Sequence, residues 1–212
     1  RRWLVDCGEG TQRQILRSGL GFKRLDTVLL THGHLDHILG LGGLVSTFAR
    51  WESIDRMAIY GGRSALDRVR DLMGVVLRGD EVAVTVAYIE LQPGPLLRAG
   101  DLDVVAFPVK HRGSGNFGFL FHERSHRPFL VEQAEALGVP LGPERRQLVQ
   151  GLPITLADGR IVQPDDVLGE ATPGVKLVVL GDVARVDDLV GIVRNADALI
   201  CESTYLWEDR AA

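Results

Sequence analysis

The stretch Thr31-His32-Gly33-His34-Leu35-Asp36-His37 decides which fold and chemistry the sequence predicts. Three of the six histidines and one aspartate fall within six positions of it, at the end of the apolar run Thr27–Thr31. Neutral imidazoles and carboxylates are ligands of zinc and similar first-row metals. Because side chains alternate along an extended segment, His32 and His34 lie on one side and can share one ion. The aspartate and the last histidine begin the next turn and can face a second ion.

Two residues far along the chain are candidates for completing such a site. His111 follows the apolar run Leu102–Val109 and precedes a glycine-containing turn, and Asp182 follows the run Lys176–Leu180. Functional side chains of α/β proteins often stand where a strand ends. A single histidine after a strand is more often structural or solvated, and an aspartate there can equally cap a helix or occupy a turn. The residues alone leave both roles open.

The bulk composition is that of a globular protein without features of a membrane or secreted protein. The 212 residues, of which 45% are hydrophobic, suit a single domain with a real core. No run approaches the roughly 18 apolar residues of a membrane span, and no signal peptide opens the chain. Cys7 and Cys201 form no CxxC pair and lie in apolar surroundings, so we expect buried, reduced thiols. These features predict a cytoplasmic protein with no membrane partner.

The charge balance limits how such a protein can bind nucleic acid. The formal net charge is −4, so the field of the whole molecule does not attract a polyanion. A nucleic-acid substrate would therefore need a local patch of lysine and arginine that overcomes this average.

Short β-rich runs alternate with helical patterns over most of the chain, which predicts an α/β sandwich of sheets flanked by helices. The predicted strands are Trp3–Cys7, Thr27–Thr31, Met57–Tyr60, Val82–Leu91, Leu102–Val109, Phe117–Phe121, Lys176–Leu180 and Ala198–Cys201. The predicted helices are Thr11–Ser18, Leu41–Trp51, Ser64–Leu77 and Val186–Arg194.

The segment Glu123–Gly174 differs in character from the rest. Six of the nine prolines fall there, with many charges and few long apolar runs. Such a composition predicts an extended excursion from the main body that has no second core of its own.

The histidine cluster resembles the metal motif of the metallo-β-lactamase superfamily, whose fold is an αββα sandwich. The segment Asp6-Cys7-Gly8-Glu9-Gly10-Thr11-Gln12-Arg13-Gln14 resembles the one that marks the ribonuclease Z family, endonucleases that trim the 3′ end of precursor tRNA. The similarity continues in family order through the strand before His111, Phe117-Gly118-Phe119, Gly142-Pro143, Asp158-Gly159-Arg160 and Gly181-Asp182. It covers nearly all of the chain.

The resemblance implies a role for each candidate residue. His32, His34 and His111 would hold one metal ion, Asp36 and His37 a second, and Asp182 would bridge both. The implied cofactors are two divalent ions, most simply Zn²⁺. As catalytic residues, Asp36 would also orient or deprotonate the attacking water, and Glu202 would position a proton-donating histidine.

The resemblance also implies a substrate and an assembly. The substrate would be precursor tRNA, cut so that a 3′-hydroxyl stays on the tRNA, and the assembly a homodimer. Residues 123–174 would form an inserted, flexible exosite arm that grips the tRNA elbow. Candidate RNA-binding residues near the site and along the arm are Lys110, Arg112, Arg124, Arg127, Gly142, Pro143, Arg145 and Arg146.

Three features depart from the family pattern. No histidine follows His126, and the family's opening strands have no counterpart before Arg1, so we expect that residues 1–212 form a single domain lacking both family termini. The last metal ligand and the proton donor would then lie outside the sequence. Cys201 stands where the family usually has histidine, and the turn Arg112–Asn116 replaces a Val-Pro-Ser turn.

Two other functions fit the same motif. One is a small-molecule phosphodiesterase or arylsulfatase-like metallohydrolase of the same fold, which would not need an arm of this length. The other is a non-catalytic RNA-binding subunit, which the absent last histidine favours and the intact Asp36, His37 and Asp182 oppose.

Overall fold

The structure is a computed structural model that describes residues 2–51, 54–78 and 84–203. The strands are β1 (Trp3–Val5), β2 (Thr27–Leu29), β3 (Arg56–Gly61), β4 (Thr85–Glu90), β5 (Gly94–Ala99), β6 (Leu102–Pro108), β7 (Phe117–Glu123), β8 (Ile154–Thr155), β9 (Ile161–Val162), β10 (Lys176–Leu180) and β11 (Ala198–Cys201). The α-helices are α1 (Thr11–Arg17), α2 (Leu35–Ile38), α3 (Gly40–Trp51), α4 (Arg63–Val76), α5 (Val131–Ala136), α6 (Pro143–Val149) and α7 (Val190–Val193). Short 3₁₀ turns cover Pro164–Asp166 and Asp187–Leu189.

Internal contacts divide the chain into two compact units. The first unit comprises residues 1–122 and 176–212, and the second unit comprises Glu123–Val175. The histidine cluster and the other candidate metal ligands all belong to the first unit.

The first unit contains two sheets. One has the order β1-β2-β3-β4 with every neighbouring pair parallel. Parallel neighbours need crossover connections, and α1, α3 and α4 supply them. The other sheet has the order β11-β10-β7-β6-β5, in which β10 is parallel to β11 and antiparallel to β7.

Alternation of side chains along the strands builds the layers of the first unit. Val28 of β2 belongs to a core cluster with Phe48 of α3, whereas the next residue, Leu29, belongs to a cluster with Phe119 of β7. Val178 of β10 packs in a third cluster, with Leu189 and residues of α7. Because successive side chains of a strand face opposite sides, the layers follow in the order helix, sheet, sheet, helix. The predicted α/β sandwich is confirmed.

The second unit has a small core of its own, and the prediction that Glu123–Gly174 lacks one was wrong. Its helices α5 and α6 and its β8–β9 pair enclose the buried residues Ala134, Val139, Leu148, Ile154, Val162, Val167 and Leu168. In the sequence these residues stand almost singly among charges and prolines, so no helix or strand period is long enough to recognise. These apolar residues come into contact only in the folded unit.

Several boundaries and one strand differ from the sequence predictions. β5 was missed because it begins with Gly94-Pro95, and its pairing with β6 has a register shift at that proline. The predicted helix Val186–Arg194 is a 3₁₀ turn followed by the single turn α7. Of the predicted strand Val82–Leu91, the first two residues lie outside the described residues.

The two cysteines also differ from each other. Cys7 is fully buried as predicted, and burial raises the pKa of its thiol to about 12. Cys201 is exposed on β11, so the prediction of a buried thiol was wrong there. Among the described residues, no helix combines the length and apolar character that a membrane crossing requires.

Two glycines allow the loop after β1 to pack directly against α2 and the start of α3. A Cβ on Gly40 would clash with the carbonyl oxygen of Gly8, and a Cβ on Gly8 would clash with the carbonyl oxygen of Asp36. Hydrogen bonds fix the same approach, since the Gly40 N–H donates to the Cys7 carbonyl at 2.8 Å and the Cys7 N–H donates to the His37 carbonyl at 2.7 Å. This contact holds the histidine cluster beside β1.

We expect Gly40→Ala to lower the free energy of unfolding by about 2–3 kcal/mol, because backbone must move to admit the methyl group. Gly74→Ala is the matched control, since Gly74 also lies in a helix and a Cβ there meets no atom within 4 Å. The control should raise stability by about 0.5–1 kcal/mol through helix propensity. Urea unfolding of both variants measures the difference, and equal effects would contradict the role given to Gly40.

Candidate metal centre

The candidate site forms where three strands of the first unit end. β2 leads to Thr31 and the histidine cluster, β6 leads to His111, and β10 leads to Asp182. The two sheets are joined there by a hydrogen bond of 2.7 Å from the Phe117 N–H to the Thr31 carbonyl. Residues that are distant in sequence therefore meet at one edge of the sandwich.

The first donor group consists of His32, His34, His111 and Asp182, whose ligand atoms all lie within 4.8 Å of one another. The Nδ1 atom of His34 lies 2.9 Å from His32 Nε2 and 3.2 Å from His111 Nε2. Asp182 Oδ2 lies 3.3 Å from His111 Nε2 and 3.7 Å from His32 Nε2. Three imidazole nitrogens and one carboxylate oxygen around a common point can hold a divalent metal ion.

The second donor group consists of His37, Asp182 and Glu202. His37 Nε2 lies 3.2 Å from Asp182 Oδ1 and 3.6 Å from Glu202 Oε2. Asp182 therefore offers one oxygen to each group. The carboxylate of Asp36 stands outside both groups but close to the second, with Oδ2 3.5 Å from His37 Nε2, and its side chain is 73% exposed.

Asp6, directly after β1, connects the two donor groups through hydrogen bonds to Thr31 and His37. Its Oδ1 accepts from the Thr31 N–H at 2.8 Å, and its Oδ2 accepts from the Thr31 hydroxyl at 2.7 Å. The same Oδ2 lies 2.8 Å from His37 Nδ1, and the Thr31 hydroxyl oxygen lies 3.0 Å from His32 Nδ1. The backbone of Asp6 has φ 56°, a left-handed conformation that a non-glycine residue rarely adopts.

These hydrogen bonds determine which nitrogen of each ring faces the site. The Thr31 hydroxyl donates its one proton to Asp6, so it can only accept from His32 Nδ1. Asp6 is likewise an acceptor for His37 Nδ1. Both rings therefore carry a proton on Nδ1 and direct Nε2 toward Asp182, as metal-binding histidines do when a neighbouring acceptor fixes the tautomer.

The surroundings shift the pKa values of the two buried histidines, His32 and His37, in opposite directions. Burial lowers the pKa of His32 to about 4, so its ring is neutral at pH 7 and ready to bind a metal ion. The hydrogen bond to Asp6 raises the pKa of His37 to about 9, which favours a proton on Nε2 as well. Because a metal ligand must be deprotonated at the ligating atom, an ion at the second group would displace that proton.

The carboxylate of Asp182 is only partly satisfied by protein groups. Burial acts to raise its pKa, but a hydrogen bond with Glu202 and the charges of the three nearby imidazoles His32, His37 and His111 outweigh it, and the pKa is lowered. Its Oδ1 is buried and meets no hydrogen-bond donor in good geometry among the described residues, although His37 Nε2 lies 3.2 Å away. A buried oxygen in that state is costly unless something else binds it, and a cation between the two donor groups fits this need.

The predicted RNA-binding residues of the first unit lie next to the donor groups. Arg112 is exposed and lines a cavity of about 540 Å³ together with His34, His111, Asp182 and Glu202. Lys110 is also exposed, but its ammonium is paired with Asp188 at 2.6 Å. The RNA contact predicted for each of them stays a prediction.

Some of the predicted RNA-binding residues of the second unit form hydrogen bonds and ion pairs within that unit, whereas others are exposed. The guanidinium of Arg127 donates to the carbonyls of Leu168 and Gly169 at 2.8 and 2.7 Å and pairs with Asp165. Arg145 donates to the Val139 carbonyl at 3.2 Å. These arginines hold the unit together. The remaining predicted residues, Arg124, Gly142, Pro143 and Arg146, are exposed.

Asp6 and Thr31 are the residues of this site to which sequence reasoning gave no role. Asp6 lies in the segment that resembles the family, and Thr31 begins the histidine cluster. Their hydrogen bonds depend on the parallel pairing of β1 with β2, which places Val5 opposite Leu29. A polar residue directly after an apolar strand that neighbours the cluster was the available signal.

Comparisons with known proteins agree with this geometry. Residues 1–169 match the family model of the beta-lactamase superfamily domain. A ribonuclease Z of Bradyrhizobium diazoefficiens is 46% identical over 209 residues, which cover 99% of this chain and 69% of that protein. The chain belongs to the ribonuclease Z family.

Solved structures extend the likeness to the fold. Human tRNase Z, short form, matches with a TM-score of 0.56 and 25% identity, covering 93% of this chain and 65% of that one. The metallo-beta-lactamase fold protein YhfI from Bacillus subtilis matches with a TM-score of 0.59 at 18% identity, covering 97% of this chain and 61% of that one, and shows the fold alone. The resemblance to ribonuclease Z seen in the sequence, and the metallo-β-lactamase fold that it implied, are confirmed.

We expect Asp6→Asn to lower the affinity for zinc by about tenfold to a hundredfold, the usual effect of losing an acceptor behind a metal-binding histidine. The amide keeps the size of the side chain but loses an acceptor oxygen for His37 or Thr31. Asp26→Asn is the matched control, because Asp26 is exposed and its carboxylate accepts from Thr27. Competition with a zinc-binding dye measures both affinities, and an unchanged value for Asp6→Asn would refute the positioning role.

Proposed function

We propose that this chain is a metal-dependent endoribonuclease that removes the 3′ trailer from precursor tRNA and leaves a 3′-hydroxyl on the tRNA. The observation that carries the proposal is the pair of donor groups sharing Asp182, found in a member of the ribonuclease Z family. Two neighbouring metal positions are the arrangement that stabilises the attacking and leaving oxygens of an in-line displacement at phosphorus.

The donor set fits divalent ions, and we propose two zinc ions per chain. Zinc accepts imidazole nitrogen and carboxylate oxygen, and the first group offers His32, His34, His111 and Asp182. We assign the second ion to His37 and Asp182, with Asp36 as the ligand that closes in from the exposed side. The buried Oδ1 of Asp182, which no described donor reaches in good hydrogen-bond geometry, supports a cation between the groups.

Divalent ions bound in this way activate water as a nucleophile and neutralise negative charge at phosphorus. In the proposed reaction a water molecule attacks the scissile phosphorus, the bond from phosphorus to the 3′-oxygen breaks, and the trailer keeps the phosphate on its 5′ end. Asp36 takes up the proton of the attacking water, because its carboxylate is exposed beside the second group. We assign Glu202 to positioning the group that protonates the leaving 3′-oxygen.

Substrate binding is assigned to basic residues at the site and to the second unit. Arg112 opens into the cavity that also contains Asp182 and Glu202, so its guanidinium can meet a backbone phosphate near the reacting atoms. We propose that the second unit is the exosite arm predicted from the sequence, with Gly142-Pro143 and Arg146 on its exposed surface. Gly142 has φ 138°, which only glycine adopts readily, and Pro143 begins α6 directly after it.

On the family resemblance alone we propose a homodimer that works in the cytoplasm. Light scattering of the purified protein tests the assembly, since a mass of two chains supports it and a mass of one contradicts it.

We expect Asp182→Ala to abolish both metal retention and the cut at the end of the acceptor stem, because the substitution removes a ligand from both donor groups. The assay supplies a 3′-extended precursor tRNA and zinc, with a chelated sample alongside, and plasma emission spectrometry counts the bound metal. His122→Ala is the control, as this exposed histidine of β7 lies outside both donor groups and its loss should change neither readout.

Other results of that assay separate the alternatives. Turnover of a small phosphodiester without a cut in precursor tRNA would retain the metal centre and refute the substrate. RNA binding by a metal-free protein without any turnover would favour a non-catalytic subunit.

We expect replacement of residues 123–175 by an Asn-Gly turn to weaken precursor tRNA binding by about a hundredfold or more, as the loss of one of two linked contacts does. The first unit permits this change, because His122 and Lys176 are directly paired in the antiparallel β7–β10 ladder, and Asn-Gly closes such hairpins. A small phosphodiester serves as the reference substrate for the shortened protein. Equal losses on both substrates would refute the exosite.

A further inference from the structure

A second cavity, of about 270 Å³, opens beside the donor groups and has a different chemical character from the first. It shares His34 and Arg112 with the larger cavity that contains Asp182 and Glu202. Its other walls carry Arg68, Ser64 and the turn that follows His111. Among the described residues that line it there is no carboxylate. The two cavities thus meet at His34 and Arg112, where the candidate metal ligands begin.

Close packing of two glycines fixes the shape of this second cavity. A Cβ on Gly62, directly before α4, would clash with the carbonyl oxygen of Gly115, which has φ 78°. The start of α4 and the turn after His111 can approach so closely only because both positions are glycine. The Ser64 hydroxyl donates to the Ser114 carbonyl across the same junction at 3.4 Å. The cavity is therefore built by two elements that hold each other in place.

The charges of the three arginines on α4 differ in how they are compensated. Arg63 lies 3.7 Å from Glu90, and Arg70 lies 2.7 Å from Asp67. Arg68 instead donates from Nη1 to the Gly33 carbonyl at 3.0 Å, and within the described residues it has no carboxylate partner. A guanidinium has five N–H donors, so most of those on Arg68 stay available. The Gly33 carbonyl, between His32 and His34, holds this charge at the edge of the metal site.

We propose that this second cavity binds a backbone phosphate next to the scissile one, with Arg68 and Arg112 as its guanidinium ligands. The inference rests on the proposed function and names the subsite that positions the RNA strand. A planar guanidinium matches the oxygens of a phosphate in pairs, and a cavity without carboxylates does not repel the anion. The strand then crosses from one cavity to the other, and the scissile phosphate lies at their border beside His34. Arg68 acts here as a positioning residue.

The test compares Arg68→Met with Arg70→Met, a change on the same helix that removes a paired arginine. With precursor tRNA we expect Arg68→Met to raise KM about tenfold to a hundredfold while kcat changes less. The slope of log KM against log salt concentration should become shallower by about 0.7, which is the value for one phosphate contact of a single strand. The kcat/KM for precursor tRNA should fall at least tenfold relative to that for bis(4-nitrophenyl) phosphate, which carries no neighbouring phosphate.

A binding experiment makes the result independent of RNA cleavage. Calorimetry on the zinc-loaded protein compares uridine 3′,5′-bisphosphate, which has two phosphates one nucleoside apart, with uridine 5′-monophosphate. Arg68→Met should weaken the bisphosphate about tenfold and the monophosphate far less. Three results would overturn the subsite: an equal loss of affinity for both nucleotides, an equal loss of kcat/KM on both substrates, or a fall in bound zinc. Each would mean that Arg68 only supports the Gly33 carbonyl. If the wild-type protein binds the bisphosphate more tightly than the monophosphate but cuts no precursor tRNA, the subsite is retained and the proposed function is refuted.

Discussion

The carboxylate of Asp6 is the group on which the geometry of the site depends. It accepts from the backbone and hydroxyl of Thr31 and bonds to the ring of His37, so it ties β1 to the end of β2 and to α2. Through these contacts it sets the tautomer of His37 directly and that of His32 through the Thr31 hydroxyl. A single partly buried anion thereby aligns one imidazole of each donor group, and its left-handed backbone is tolerated because the surrounding hydrogen bonds over-determine it.

Glycines supply the second constraint, because the loops around the site approach one another at backbone distance. Gly8 and Gly40 allow the loop after β1 to lie against α2 and α3, and Gly62 and Gly115 allow α4 to lie against the turn after His111. A Cβ added at Gly181 would likewise clash with the Thr31 side chain. The candidate metal ligands lie in loops and in the single turn α2, and these close backbone contacts restrict how those segments can move. Pre-organisation of this kind spares the free energy of ordering ligands when a metal ion binds.

The sequence predicted the parts of the site that are dense along the chain. His32, His34 and His37 could be recognised because four ligand-type residues stand within six positions, whereas His111 and Asp182 could be placed only as polar residues after strands until the family resemblance gave them roles. The position of Asp6 directly after an apolar strand was a signal, but its role depends on the pairing of β1 with β2, which the sequence does not show. The layers followed from alternating and helical periods, but the core of the second unit did not, since its apolar residues are too scattered to form a period.

Electrostatics explains how an acidic protein can meet a polyanion. The formal charge of −4 includes the carboxylates of Asp6, Asp36, Asp182 and Glu202, which are gathered at the site. The two divalent cations that we propose would cancel a charge of that size. A phosphate could then approach Arg68, which has no carboxylate partner within the described residues, without this repulsion. Without such cations a phosphate at the site would meet Asp36, Asp182 and Glu202 at short range, and like charges repel, so the same carboxylates would make the proposed RNA binding depend on metal.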